Sequence, residues 1–318
     1  MILKQFTYLL EQTSFQQKSF VASFFNLLPV LLVVIIIVSG LLYVKSDNVL
    51  SQGLILSFGV LLSFILILGI WGTSFERFDL KVNKQKVEMG FNAKIALFSD
   101  IHIGRFKDKN WVNKVIIEIN KIENLDAVLV AGDWTYWPKN ISKKGFMEDF
   151  GGLENSRYPI YAVMGNHDVE QPGPKLRDVL EEALTELGIK IIDNKFIEFE
   201  KWRLVGIKDL WSKDFNGVQN TLFSNTKTNI ALTHQPDITR EYDKLLTKPL
   251  LTLTGHTHCG QVRIPFLYKF ALPTIDGHFD KGWYNVSGGR LFITCGVGEV
   301  GLPIRLFNPP TIDVITIN

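Results

Sequence analysis

The chain has 318 residues and is poor in cysteine and histidine, with two of the first and six of the second. Cys259 and Cys295 are too few for a disulfide framework and fit a reducing compartment. No basic run is long enough to follow a nucleic-acid backbone, and 34 basic residues are nearly balanced by 32 acidic ones. No nucleic-acid partner is therefore expected. Beyond Glu76 there is no low-complexity tract and no short-period repeat, which excludes a repeat architecture. Charge itself is missing from two stretches, residues 19–44 and 48–75. Each exceeds the ~18–20 residues that cross a bilayer as a helix. Val30–Val38 and Val60–Ile70 are almost unbroken aliphatic runs, and only Lys45, Ser46 and Asp47 bring polarity between them. The pattern predicts a tight transmembrane hairpin rather than a buried hairpin of a soluble protein. A cleaved signal peptide fits poorly, because the run is too long, no small-residue cleavage site follows and a second span comes at once.

Residues 1–18, with Leu3, Phe6 and Leu10 at helical spacing, read as an interfacial segment or a polar tail. Residues 19–75 form the expected hairpin, 76–86 a charged linker, and 87–318 one large domain. Two spans put both flanks on one side of the membrane. That side carries Lys4, Lys18, Arg77, Lys81, Lys84 and Lys86 against Lys45 in the turn. Counting basic residues near the spans predicts a domain that faces the cytoplasm. The bilayer is thus an expected partner; no protein partner is deducible.

Within the domain, short apolar runs ending in Gly, Asp or His predict strands at Lys94–Ser99, Ala127–Ala131, Ile160–Met164, Arg203–Gly206, Asn229–Thr233 and Leu250–Thr254. Trp111–Ile122 and Lys175–Leu187 have helical periodicity, the second stopped by Gly188. Strands alternating with helices, then a strand-rich second half, indicate an α/β sandwich.

Five of the six histidines fall in motifs just past these strands: Asp100-Ile101-His102, Gly132-Asp133, Gly165-Asn166-His167-Asp168, His234 and Gly255-His256-Thr257-His258. Ligand sites in open α/β sheets form beyond the carboxyl ends of strands, so five distant segments can meet at one place. Gly132, Gly165 and Gly255 are expected to permit the sharp exits. Imidazole, carboxylate and amide oxygen suit borderline divalent metals such as Mn²⁺, Fe²⁺ and Zn²⁺, and two such ions can clamp a phosphoryl group undergoing displacement. Singly, each motif is more often a turn or a capped loop; the ordered combination is specific.

That combination, from Asp100 to His258, resembles the calcineurin-like metallophosphoesterases. The resemblance implies a four-layer α/β/β/α sandwich holding two divalent metal ions, Mn²⁺ foremost, with Fe or Zn as alternatives. It assigns Asp100, His102 and His258 to the first metal, Asn166, His234 and His256 to the second, and Asp133 to both. It implies that His167 is no ligand but protonates the leaving group, with Asp168 orienting it. Gly255–Gln261, with Gly301-Leu302-Pro303-Ile304-Arg305 and Pro309-Pro310, is similar to the family's bacterial membrane-associated branch. That branch includes phosphodiesterases and a chlamydial-type UDP-2,3-diacylglucosamine pyrophosphatase of lipid A synthesis. It usually has Gly where this chain has Cys259, a change that touches packing or oxidation rather than metal binding.

Softer expectations concern the substrate, which the membrane anchor predicts to be an amphiphilic phosphorylated molecule. Arg105 and Lys107 would meet its phosphate or lie on a solvated loop. Trp134, Tyr136 and Trp137 would stack on it or pack in the core. Val262–Pro273, apolar but for Arg263 and Lys269, reads as a buried hairpin, with a dip into the membrane as the other reading. His278 has no assigned role. The rival outside the enzymes is a membrane-tethered metal-binding protein without turnover, against which the intact His167 argues.

Overall fold

The structure is a computed structural model and describes residues 27–169 and 176–318; the segment 1–18 and the first expected span residues lie outside these. Helices α1 (Leu28–Lys45) and α2 (Val49–Ser74) pack side by side. Asn48 caps α2, its side chain accepting a bond from the Leu50 amide at 2.9 Å. Gly59 lets the helices approach, since a Cβ there would meet Ser39 Oγ at 2.5 Å; small residues serve this purpose between membrane helices. The mean hydropathies are 2.5 and 2.7. Most of the Val, Leu, Ile and Phe side chains of the pair are exposed, up to 82% at Val49. An apolar surface left uncovered by the described residues calls for lipid, and both helices are long enough to cross a bilayer.

The expected linker 76–86 is instead structured. Glu76–Phe78 is a 3₁₀ turn, and β1 (Lys81–Val87) pairs in parallel with β14 (Thr311–Ile317), Lys81 opposite Thr311. Its polar residues read as a linker because an edge strand has solvent along one side, and most of β1 is exposed. The first sheet runs β1, β14, β2 (Ala93–Phe98), β4 (Ala127–Ala131), β6 (Ile160–Val163), β7 (Lys190–Ile191). The second runs β12 (Gly282–Val286), β13 (Gly289–Ile293), β11 (Leu251–Thr254), β10 (Thr228–Leu232), β9 (Trp202–Gly206), β8 (Phe196–Glu198). A two-residue ribbon joins β3 (Ile103–Gly104) to β5 (Thr135–Tyr136). All six predicted strands are present within a residue at each end.

Between the sheets lie Ile95, Leu97, Leu129, Val163, Leu204, Ile230, Leu253 and Phe292. Alternate residues of the first sheet face outward onto α3 (Lys109–Asn120), α4 (Lys143–Phe150) and α5 (Arg177–Glu186) through Trp111, Val115, Phe146 and Leu180. The other outer layer is built of 3₁₀ turns, Asn220–Leu222 and Pro236–Lys244, with Ile238 and Tyr242 set on Val205 and Ala231. This gives the four-layer sandwich. β2, β4, β6, β9, β10 and β11 are parallel to their neighbours in these central ladders, so the two sheets present carboxyl ends where the histidine motifs begin.

The hairpin is docked on the sandwich. The Arg305 amide donates to Gly72 O at 3.1 Å, and a Cβ on Gly72 would strike that segment at 2.7 Å. Glu76 accepts from Trp71 Nε1 at 3.0 Å and from the Asn308 amide at 2.5 Å. Asn308 in turn donates from Nδ2 to His258 O at 2.7 Å.

Candidate metal centre

The five motifs converge. His102 Nε2 lies 3.1 Å from His258 Nε2, and His258 Nε2 lies 3.3 Å from Asp100 Oδ1. His234 Nε2 lies 3.0 Å from Asn166 Oδ1 and 3.1 Å from His256 Nδ1. Asp133 stands between the groups, its Oδ2 3.5 Å from His102 Nε2 and 3.2 Å from His234 Nε2. Donors bound at about 2.1 Å to one ion are separated by about 3.0–3.4 Å; the His102–His258, His258–Asp100, His234–Asn166, His234–His256 and His234–Asp133 spacings match this, while Asp100 Oδ1 lies 3.8 Å from His102 Nε2. All seven residues are buried, and Asp100 Oδ1 has no hydrogen-bond partner. A buried carboxylate oxygen without a partner is costly unless a cation faces it. The donor set and this orphaned oxygen therefore fit divalent cations, which Asp100, His102 and His258 on one side and Asn166, His234 and His256 on the other would hold, with Asp133 between the groups.

Backbone carbonyls set the imidazole tautomers. His102 Nδ1 lies 3.2 Å from Thr135 O and His234 Nδ1 2.7 Å from Ala131 O, so each directs the lone pair of Nε2 into the site. His256 is turned the other way, with Nε2 3.3 Å from Pro273 O and Nδ1 inward. Burial pushes the His256 pKa down to about 3, with the neighbouring His234 adding to it, and holds His258 well below the usual range. Neutral imidazoles are what a metal requires. Burial works to raise the Asp133 pKa, but His234, His167 and His102 more than offset it and keep the carboxylate ionised. The pair His234 and Asp133 thus calls for positive charge at the place where a cation would sit.

The backbone is bent to reach this geometry. Asp100, His102, Asp133, His256 and His258 all have left-handed φ between 48° and 70°. Such conformations are uncommon outside glycine and gather at functional sites. The glycines divide two ways. Gly132 makes its exit with φ 81°, whereas Gly165 is needed for space, since a Cβ would lie 2.2 Å from Asp133 Oδ1.

His167 borders the cavity beside Asp133 and Asn166, its ring edge-on to His102 at 5.0 Å. Its nitrogen lies within 4.8 Å of donor atoms on His102 and Asp133. Asp168 is bonded to the backbone around the site. Its carboxylate accepts from the amides of Gly165 (2.9 Å), Trp134 (3.1 Å) and Thr135 (3.2 Å), so it fixes the loop that carries His167. Burial and the nearby Asp133 charge push the Asp168 pKa up to about 8.

The expected substrate contacts are corrected. Trp134 is fully buried against Phe150, with Nε1 donating to Val163 O at 3.2 Å. Tyr136 is also buried, edge-on to His102 and His167, and its hydroxyl accepts from the Gly301 amide at 3.1 Å. It walls the centre rather than facing a ligand. Lys107 is neither a phosphate contact nor solvated; it donates to Arg77 O at 2.7 Å and pairs with buried Glu299 at 3.1 Å. Arg105 is half-buried outside the cavity lining, its amide bonded to Tyr136 O. Exposed His278 keeps no role at the centre. Cys259 and Cys295 are joined as a disulfide, so the reading of two reduced thiols is also corrected: two cysteines make no framework but suffice for one bond.

A residue missed by sequence reasoning is Trp211. It is 42% exposed, lines the cavity and stands edge-on to His256 at 5.1 Å. Its signal was available, because Asp209-Leu210-Trp211 follows the end of β9 as the metal motifs follow theirs. The cavity itself holds about 360 Å³. Asp133, Asn166, His167 and His256 form its polar end, and Val262, Ile264, Leu267, Ala271 and Leu302 its apolar walls.

The two-sheet sandwich carries paired clusters of metal-type donors at its strand ends, with His167 beside them. The chain belongs to the calcineurin-like phosphoesterase family, whose profile matches residues 93–260. It is 28% identical over 233 residues to an uncharacterized metallophosphoesterase of Campylobacter jejuni (Cj0846), covering 70% of this chain and 59% of that protein. It is 25% identical over 212 residues to the Escherichia coli phosphodiesterase YaeI, covering 65% of this chain and 76% of YaeI. A transmembrane protein with metallophosphoesterase domain from Danio rerio is 26% identical over 245 residues, with 72% and 54% covered. The chain thus spans little more than half of the Campylobacter and Danio proteins.

Proposed function

We propose that this enzyme hydrolyses a phosphoester or pyrophosphate bond of an amphiphilic substrate at the membrane surface. The specific candidate is UDP-2,3-diacylglucosamine, cleaved to UMP and 2,3-diacylglucosamine 1-phosphate at the cytoplasmic face of a bacterial inner membrane. The observation that supports it is the cavity: ligand residues at one end and apolar walls leading away from them. A head group with phosphates and a body with acyl chains match those two halves.

Bound divalent cations, with Mn²⁺ the proposed pair, supply Lewis acidity to the phosphoryl oxygens. Asp100, His102, Asp133, Asn166, His234, His256 and His258 hold them. His167 lies at the polar end, where its imidazole gives a proton to the departing oxygen and stabilises charge on the phosphoryl group. Trp211 offers a ring face at the cavity mouth for a nucleobase or an acyl chain.

The test is incubation of the purified chain with UDP-2,3-diacylglucosamine, watching for UMP, after stripping by chelator and reloading. Release of UMP that disappears on stripping and returns best with Mn²⁺ is expected. Turnover of bis-p-nitrophenyl phosphate without any UMP would sink the substrate and leave the phosphodiesterase.

The disulfide favours a second reading. Such bonds persist in oxidising compartments, and Cys259 adjoins the ligand His258. On this reading the domain stands on the outer face and its substrate is a phosphodiester of another lipid head group there.

A further inference from the structure

The segment following the last metal motif inverts the usual arrangement of a surface loop. Two of its polar side chains turn inward: Arg263 Nη2 and the Tyr268 hydroxyl both donate to Asp280 Oδ2 at 2.9 Å, and the Arg263 guanidinium lies 3.9 Å from the Tyr268 ring centre. Its apolar side chains are left outside, with Phe266 88%, Ile275 63%, Phe270 55% and Leu267 52% exposed. The buried hairpin expected over Val262–Pro273 is therefore not what forms. Large contiguous apolar patches on a protein mark surfaces that meet something else.

Position identifies what they meet. The Arg263 amide donates to Leu306 O at 2.9 Å, and Val262 bridges to Leu306. One residue earlier, the Arg305 amide bonds to Gly72 near the end of α2. Trp71, Phe75 and Phe307 are about half exposed on the same chain segments. Aromatic residues collect at the level of the lipid head groups, and exposed Lys269 adds a cation suited to anionic lipid. The apolar loop thus continues the surface where the hairpin leaves the membrane.

We propose that Ile264–Ile275 is seated in the interface of the same bilayer that the hairpin crosses. This rests on the hairpin reading. Ile264, Leu267 and Ala271 line the cavity, and Pro273 O touches the ligand His256. The seated loop is then a shared wall between lipid and metal centre, and an acyl chain passes into the cavity without crossing water.

The test uses the full chain in phosphatidylethanolamine–phosphatidylglycerol vesicles, with a nitroxide on Phe266→Cys, on Leu56→Cys in α2, or on Lys201→Cys in the turn between β8 and β9. Relaxation by oxygen, which concentrates in lipid, is compared with relaxation by a water-soluble nickel chelate. The label at 266 should match the one at 56, favouring oxygen by about tenfold over the label at 201. A 266 label as open to nickel as 201, while 56 stays lipid-like, overturns the proposal and spares the hairpin. Nickel access at 56 overturns both.

Discussion

At the residue scale, His167 and His256 line the same cavity and are assigned opposite tasks. If His167 gives a proton and holds no metal, His167→Ala keeps both ions while turnover falls by ~10²–10⁴-fold, the usual worth of general acid catalysis. The loss should shrink for a p-nitrophenol leaving group, which barely needs a proton. His256→Ala should lose an ion and slow every substrate alike. Elemental analysis beside kinetics on two leaving groups decides the matter; metal loss in both variants would make His167 a ligand. The convergence of the candidate ligands was legible in the sequence because metal chemistry admits few side chains and each sits beside a strand end. Trp134, Tyr136 and Lys107 were not, since an aromatic or a lysine near a motif serves packing as readily as binding. What placed them inside was tertiary: the β3–β5 ribbon for the first two, Glu299 for the third.

At the element scale, apolar strands betrayed themselves, and the edge did not. β1 is nearly as polar as a linker, and only its pairing with β14 shows it to be a strand. That pairing has a buried acid beside it. Asp313 on β14 accepts from Thr294 Oγ1 at 2.6 Å, and burial pushes its pKa up to about 6. A raised acid favours the folded state only while protonated. Its contribution is full below about pH 4 and is lost as pH climbs through about 6. Asp313→Asn, which keeps the acceptor for Thr294, should therefore stabilise the domain at neutral pH by on the order of 2 kcal/mol. The gain should fade below about pH 6 and vanish near pH 4. Denaturation midpoints measured across that range check it; a gain independent of pH would mean that the carboxyl is not the cause.

At the scale of the whole molecule, six basic residues beside the domain against one in the turn favour a cytoplasmic domain, and the Cys259–Cys295 bond favours the opposite face. Protease added to intact spheroplasts should leave residues 76–318 uncut on the proposed orientation. Ready digestion from outside would remove a cytoplasmic substrate from consideration and leave the outer-face reading. The hairpin was plain from charge-free runs alone, whereas its docking was not. The bonds Arg305 to Gly72 and Asn308 to Glu76 join segments more than two hundred residues apart in sequence, and no local pattern announces them.

The place of β14 has a consequence for how the enzyme is made. It lies between β1 and β2 in the sheet, yet it follows every other described strand in the chain. Until it arrives, β1 has no partner and β2 presents an open edge beside Asp100 and His102. The ribosome therefore delivers the hairpin to the membrane long before the sheet can close, and the nascent domain waits there with an aggregation-prone edge uncovered. A premature stop before Thr311 leaves both of those edges uncovered and yields an unfinished chain for the cell's proteases.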